Sequence, residues 1–449
     1  MSTSSADLAV LVADASIGID TLWGGDVTCP SGTGRFVADC WFSDEPLPRA
    51  YRHPAAAVLR ATGGVSAAKP ELGAIDEYLA AVDLPATLRE LRREAVALGS
   101  LRGRYLEGLA TCLGVMWELA LEQLGRGPEV PYERCVRAST GREPAPSRPE
   151  ALRRRVVELL GDAGRRAADG PGLVEAVDRW RRERLVRRDD IPALAARTIA
   201  ELDGLAAQHL APHLPPALRR VPRANIRFLP IEDAWFSGSM NYLGRARRPD
   251  GEPEYEATYE INAALQISEP EFRQLVSHEV VPGHVTTFAL LQNLHWRREV
   301  GFEASVLTMN TRAATLFEGI ANNAILIAHG VAEVDQLPDR GLQLGVLLAL
   351  LQDAAKNQAS WMTWAERRPQ GEVAAALRRD YLVSEERADK LSGAWGRHPL
   401  LGRMCLPAYQ AGTDLVARLR ARYPPERLLP VLYGAHGLVD VTTIEAALG

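Results

Sequence analysis

Apolar residues that recur with the period of an α-helix constrain the fold of this 449-residue chain more than any other feature. Such stripes form the buried face of amphipathic helices. The clearest examples are Leu152, Val156, Leu159 and Leu160; Ile199, Leu202, Ala206 and Leu210; and Leu342, Val346, Ala349 and Leu350. Residues 86–120 are also helical in character. The sequence therefore predicts a mainly α-helical protein.

Residues 225–264 are the exception to this helical pattern. Apolar residues alternate from Ile226, a second short segment covers residues 238–243, and residues 247–251 have turn chemistry. Residues 255–262 are then rich in Tyr, Thr and Ile, as strands are. We expect a small antiparallel β-sheet, set into the helical body directly before the most informative segment of the chain.

Composition indicates a globular protein, with 47% hydrophobic and 24% charged residues. We find no internal repeat. The one compositional break is at residues 137–150, whose Pro, Ser and Gly content favours a loop or linker. We therefore divide the chain into a helical N-terminal region, 1–140, and a catalytic region, 141–449, and expect the two to form one continuous structural unit.

Charge and hydropathy exclude two classes of partner. The net charge of −5 provides no basic field for nucleic acid, and the longest aliphatic runs are far shorter than the roughly 20 residues that span a bilayer. Residues 1–13 contain no Lys or Arg, so they do not resemble a signal peptide. The five cysteines form no CxxC pair. We expect a cytoplasmic protein that binds neither nucleic acid nor membrane.

A candidate metal site begins in the segment 278–284, whose sequence is HEVVPGH. Ser268 and Glu271 predict the start of the helix that carries it. A His-Glu pair on an apolar helix is typical of the HExxH zinc motif, in which the glutamate activates water at the metal. We therefore take His278 as a metal ligand and Glu279 as the general base.

The second histidine departs from that motif. His284 follows His278 by six residues, and an unbroken helix would direct the two side chains about 120° apart. Pro282 must break the helix because it cannot donate to the carbonyl group of His278. Gly283 then gives the backbone freedom to return His284 toward His278. We therefore predict that His284 is the second ligand.

A third ligand is expected from the helix predicted over residues 311–330. Glu318 is a carboxylate in largely apolar sequence, and burying such a charge is costly unless it is paired or bound to a metal. Two histidines and one glutamate, with one position open for water, form the zinc-hydrolase pattern. The expected cofactor is one Zn²⁺ ion, with other transition metals as alternatives.

These residues resemble a known family. HEVVPGH is similar to the HExxPGH signature of the bacterial domain of unknown function 885, which is grouped with gluzincin zinc metallopeptidases and is distantly like carboxypeptidase Taq. The family's Glu-Gly-Trp-Ala and Tyr-x-x-Gly segments are matched by residues 318–321 and 409–412. Its strand before the motif is matched by residues 259–262. The resemblance covers about residues 225–425 and implies a helical metallopeptidase-like body.

The chain also departs from this family. Ile320 replaces the tryptophan of Glu-Gly-Trp-Ala, and Asn357, Ser360 and Trp361 stand in a region where the family has charged groups. The metal site is thus retained while substrate-binding groups are changed, which favours a specialised substrate.

Three functions remain open at this point. The first is a zinc-dependent hydrolase of an amide or peptide-like bond in a small-molecule or short peptide-like substrate. In it, Glu279 moves the proton, Tyr409 donates to the oxyanion, and the strand 255–262 binds an extended substrate. The second is a non-peptidase metalloenzyme of specialised metabolism that performs lyase, transfer or redox chemistry. The third is a helical binding protein with a structural metal.

Overall fold

The structure, a computed structural model, describes residues 5–24, 54, 71–167, 171–231, 238–242, 251–253, 255–262, 266–306 and 310–449. Two of the five cysteines, Cys29 and Cys40, lie outside these residues, as does most of the predicted turn at 247–251. Cys112, Cys135 and Cys405 are buried free thiols.

Helices dominate the described residues, as the apolar periodicity predicts. They are α1 (Ser5–Gly24), α2 (Leu72–Val82), α3 (Leu84–Leu98), α4 (Leu101–Gln123), α5 (Tyr132–Thr140), α6 (Glu150–Leu160), α7 (Asp162–Ala167), α8 (Pro171–Glu183), α9 (Ile191–His209), α10 (Pro216–Arg219), α11 (Glu269–Glu279), α12 (His284–Trp296), α13 (Arg312–His329), α14 (Arg340–Ser360), α15 (Gln370–Tyr381), α16 (Glu385–Ser392), α17 (Leu406–Arg422), α18 (Pro425–Leu432) and α19 (Ile444–Leu448). The prediction of a mainly α fold is confirmed.

The small sheet lies where it was predicted, but its strand directions differ. Its strands are β1 (Ile226–Ile231), β2 (Gly238–Tyr242) and β3 (Ala257–Asn262), in the order β1-β3-β2. β2 pairs with β3 in antiparallel fashion, whereas β1 runs parallel to β3. The expectation of a wholly antiparallel sheet is therefore wrong. A parallel pair needs a crossover connection, and β2 with its flanking segments provides this length of chain.

Buried apolar side chains join the two regions that the sequence separates at residue 140. One cluster contains Trp23 and Leu113 together with Ile320 and Leu347. The predicted linker also packs closely, since the Ser147 hydroxyl donates to the carbonyl oxygen of Ala354 at 2.9 Å. The division into 1–140 and 141–449 stays a prediction.

Within the described residues, no helix is both long and apolar enough to cross a bilayer.

Candidate metal centre

α11 presents His278 and Glu279 at its C-terminal end. The helix begins as the sequence predicts, because the Ser268 side chain accepts a hydrogen bond from the backbone N–H of Glu271. Phe272 and Val276 face the core and are fully buried. The packing of this apolar face against α13 and α14 fixes the position of the last turn, and with it the two polar side chains.

The chain breaks between the two histidines, as Pro282 predicts. α11 ends at Glu279 and α12 begins at His284, so each histidine belongs to its own helix. The two imidazole rings lie 4.7 Å apart between centroids and are nearly perpendicular. The Pro282 carbonyl oxygen accepts a hydrogen bond of 2.8 Å from the Tyr433 hydroxyl, which ties the break to the C-terminal part of the chain.

Gly283 is required where two backbone segments approach each other closely. A Cβ at this position would overlap the carbonyl oxygen of His278. Only glycine lets the two segments approach so closely, and this approach brings His284 to His278.

Glu318 reaches the same point from α13. This helix is capped by Thr311 and by Gly330 in the left-handed conformation, and residues 313–328 are buried throughout. α13 crosses α17 where Gly319 meets Gly412, and a Cβ on either glycine would overlap backbone atoms of the opposite helix. The close crossing brings the Glu318 and Tyr409 segments together.

The three predicted ligands converge. One possible ligand atom from each of His278, His284 and Glu318 lies within 4.8 Å of the other two. The Nε2 atoms of His278 and His284 lie 3.5 and 3.4 Å from the two carboxylate oxygens of Glu318. Glu279 stands slightly farther away, with an oxygen 4.0 Å from the Nε2 atom of His278. No other described group of His, Cys, Asp or Glu side chains converges in this way.

An unpartnered buried oxygen supports a cation at this cluster. The Oε2 atom of Glu318 is buried and has no hydrogen-bond partner among the residues that the structure describes. A buried carboxylate oxygen without a partner is costly, and a bound cation removes that cost. Two imidazoles and one carboxylate are donors that suit Zn²⁺.

Asn322 orients His278. Its Oδ1 atom lies 2.7 Å from the Nδ1 atom of His278, while its Nδ2 atom donates to the Thr413 hydroxyl at 2.8 Å. Such a contact leaves the Nε2 atom of His278 directed at the metal position, as polar groups behind metal ligands commonly do. Asn322 lies one helical turn after Glu318, yet it contacts His278, because the two residues face each other across α11 and α13.

The pKa values of His278, Glu318 and His284 favour the binding of a cation. Burial lowers the pKa of His278 to about 3, so its ring is neutral at pH 7. Burial alone would raise the pKa of Glu318, but attraction to His284 and His278 outweighs it and lowers the pKa to about 2. Burial opposes the charge on His284 as well, yet Glu318 attracts it and the net pKa is raised. A metal would replace the proton on His284.

Glu279 has the electrostatic character of a general base. Burial raises its pKa to about 7, with a further contribution from the negative charge of Glu318. A carboxylate whose pKa lies near the working pH both accepts and returns a proton readily. Glu279 lines a cavity of about 400 Å³ that His278 and Tyr409 also line. Glu279 therefore borders a space that can hold a small molecule.

Tyr409 lies in this cavity but stays only a predicted oxyanion donor. Burial raises its pKa well above the usual value, so the hydroxyl remains protonated. The ammonium group of Lys356 lies 3.2 Å from the centre of its ring.

The strand of residues 255–262 cannot bind a substrate as the sequence suggested. β3 is the central strand, and its backbone pairs with β1 on one edge and β2 on the other. No free backbone edge is left for an extended peptide. Burial, together with the nearby charge of Glu279, raises the pKa of Tyr259 on this strand.

The cavity is lined by polar groups on α14 that the sequence did not single out. The three residues named above form hydrogen bonds elsewhere. Asn357 donates to Ala145 and Ser147, Ser360 donates to Gly402, and Trp361 donates to Glu366. The cavity instead receives four residues spaced i, i+3, i+4 and i+7, namely Ala349, Gln352, Asp353 and Lys356. This stripe, polar at its last three positions, is a signal that sequence reasoning could have used.

Comparison with known proteins gives a fold but no family. No protein-family model matches the chain, and no curated protein matches it. Among solved structures, "the putative lipoprotein from Colwellia psychrerythraea" has a TM-score of 0.51 and 14% identity, over 91% of this chain and 67% of that one. "A putative lipoprotein of unknown function from Shewanella oneidensis" has a TM-score of 0.46 and 13% identity, over 87% and 77%. The first likeness is one of overall fold alone.

Proposed function

We propose that the chain is a metal-dependent hydrolase that cleaves an amide or peptide-like bond in a small molecule or short peptide. One observation carries the proposal. A buried, unpartnered oxygen of Glu318 lies beside two histidines, and a separate carboxylate, Glu279, lines a cavity together with one of them, His278. A structural metal site would explain the unpartnered oxygen of Glu318. It would not explain the second carboxylate, Glu279, because structural sites leave no position open for a reacting molecule.

His278, His284 and Glu318 would hold one divalent cation, with Zn²⁺ as the best match for their donor atoms. When bound, this ion would supply Lewis acidity and lower the pKa of water toward about 7. Asn322 would keep the His278 ring in the required tautomer, because its Oδ1 atom accepts from Nδ1.

Glu279 would move the proton. Its carboxylate would accept a proton from the attacking water and return it to the leaving nitrogen, a role that contributes roughly 10²- to 10⁴-fold to rate. Tyr409 would donate its hydroxyl proton in a hydrogen bond to the substrate carbonyl oxygen as negative charge develops there. The similarity of HEVVPGH to the HExxPGH signature supports the same assignment of roles.

The test combines metal analysis with a substrate panel. Purified protein should contain close to one divalent ion per chain, and His278→Ala and His284→Ala should each remove it. The metal-loaded protein should hydrolyse at least one member of a panel of N-acylated amino acids and blocked dipeptides, and the metal-free protein none. Full metal content in both variants would exclude the site, while a stable metal site without hydrolysis would favour one of the other two functions.

The cytoplasmic location remains a prediction. The structural neighbour with the higher TM-score is described as a "putative lipoprotein", which makes the cell envelope the alternative compartment. Fractionation of cells that produce the tagged chain distinguishes the two locations.

A further inference from the structure

We propose that Lys356 binds a negatively charged oxygen of the substrate. The inference rests on the proposed function and names the group that recognises the substrate in the same cavity. The chain has only three lysines, yet Lys356 and Lys390 both line this cavity. Lys356 is the more buried of the two, with 7% of its surface exposed.

The contacts of Lys356 leave N–H donors of its ammonium group available to a molecule in the cavity. Its Nζ atom donates to the Oδ1 atom of Asp353 at 3.0 Å and lies 3.2 Å from the centre of the Tyr409 ring. A lysine ammonium carries three N–H donors, and a buried one needs a partner for each. Within the described part of the chain, Asp353 is the sole hydrogen-bond acceptor that contacts Nζ.

Lys356 is held in a fixed position relative to the metal ligands. The other carboxylate oxygen of Asp353 lies 3.4 Å from the Thr413 hydroxyl, which shares its proton between this oxygen and the Tyr409 carbonyl oxygen at 2.8 Å. Thr413 in turn accepts from Asn322 at 2.8 Å, and Asn322 contacts His278 at 2.7 Å. A chain of polar side chains from α14, α17, α13 and α11 therefore connects Lys356 to a metal ligand. Such a connected network fixes a charge before the substrate arrives.

Two oxygens of an amide substrate match this chemistry. One is a carboxylate that the substrate already carries. The other is the oxygen of the reacting carbonyl: when the water oxygen bonds to the carbonyl carbon, the C=O electron pair moves to this oxygen while the water proton goes to Glu279. Both present a negative oxygen to the Lys356 ammonium, and the experiment distinguishes them.

The experiment compares two probes in the zinc-loaded full-length protein. N-benzoylglycine carries a carboxylate, and N-benzoylglycinamide differs from it by that one charge. Binding is measured by calorimetry and hydrolysis by product release, in the wild type, Lys356→Met and Lys356→Arg. Because Lys356→Met leaves Asp353 buried without its cation, the double variant Asp353→Asn/Lys356→Met is measured beside Asp353→Asn. Zinc content and a thermal melt report folding.

If Lys356 binds a substrate carboxylate, Lys356→Met should weaken binding of N-benzoylglycine by about 10- to 100-fold and leave the amide unaffected. If it binds the reacting oxygen, binding of both probes should persist while kcat falls by about 10²- to 10³-fold for both. Lys356→Arg should restore part of either loss. The double variant should show the same loss when it is compared with Asp353→Asn.

The proposal is overturned if folded, zinc-loaded Lys356→Met and the double variant bind and hydrolyse both probes as their parents do. It is also overturned if the wild type binds neither probe. A protein that hydrolyses no amide but binds N-benzoylglycine through Lys356 would refute the proposed function and leave this inference in place.

Discussion

Glu279 and its neighbour His278 are adjacent in sequence, yet they should respond differently to substitution. Glu279→Gln keeps the size of the side chain and removes its basicity, so metal content should stay at the wild-type level. Turnover should fall by about 10²- to 10⁴-fold, because no other carboxylate is expected to accept the water proton. Zinc analysis and product assays on one preparation check both expectations, with His278→Ala as the variant that loses metal. Normal turnover would assign the base to another residue.

The raised pKa of His284 predicts a pH-dependent metal affinity. Burial opposes its charge, but attraction by Glu318 raises the net pKa, so the metal-free site holds a proton on His284 at a higher pH than a free imidazole does. His278, with a pKa of about 3, and Glu318, with a pKa of about 2, do not change their protonation between pH 5 and 8. Metal must displace the proton, so affinity should fall about tenfold per pH unit below the pKa of His284.

Glu279 reinforces this dependence, since its pKa of about 7 means that its attractive charge is also lost on acidification. Competition titrations with a zinc chelator between pH 5 and 8 measure the effect. An affinity that does not change with pH would contradict the arrangement of the ligands.

At the scale of elements, the break between α11 and α12 should be sensitive to a single methyl group. Gly283→Ala would place a Cβ against the His278 carbonyl oxygen, so the two segments must move apart and carry the histidines with them. We expect a folded protein with strongly reduced zinc affinity. The matched control is Gly204→Ala within α9, where no atom lies near the added Cβ and helix propensity improves by about 1 kcal/mol. Equal zinc affinity in both variants would mean that the close approach has no role in ligation.

The crossing of α13 and α17 gives a second test at this scale. Gly412→Ala would insert a methyl group against the Thr315 carbonyl oxygen and separate the helices that carry Glu318 and Tyr409. Overpacking of this kind costs about 1–3 kcal/mol. The free energy of unfolding from denaturant titration should fall by that amount, and zinc should bind more weakly. An unchanged stability would show that the crossing relaxes without strain.

At the scale of the whole molecule, metal binding should stabilise the fold. The ligands come from three helices, α11, α12 and α13, so the site exists only when these helices are packed together. A ligand that binds the folded state alone adds about 2.7 kcal/mol when its concentration is 100 times its Kd. Zinc should therefore raise the melting temperature, and a chelator should reverse the increase. In His284→Ala, the same zinc concentration should produce little change.

The sequence determined what depends on neighbouring residues. The apolar stripes located α6, α9 and α14, and the helix predicted over residues 311–330 coincides with α13, because helical periodicity acts between residues that are close in the chain. Pro282 located the end of α11 because a proline removes a donor from the helix that precedes it. His278, His284 and Glu318 could be recognised as candidate ligands, because imidazole and carboxylate groups are costly to bury in apolar helices without a partner or a metal.

Only the tertiary structure decided what depends on packing between distant segments. It made β1 parallel to β3 and paired the second edge of β3 with β2, and it directed Asn322 to His278. It also turned Lys356 into the cavity while Asn357, on the same helix, bonds to the loop before α6. Which face of a helix meets a cavity is set by the helices around it, and those contacts join residues that lie hundreds of positions apart in the chain.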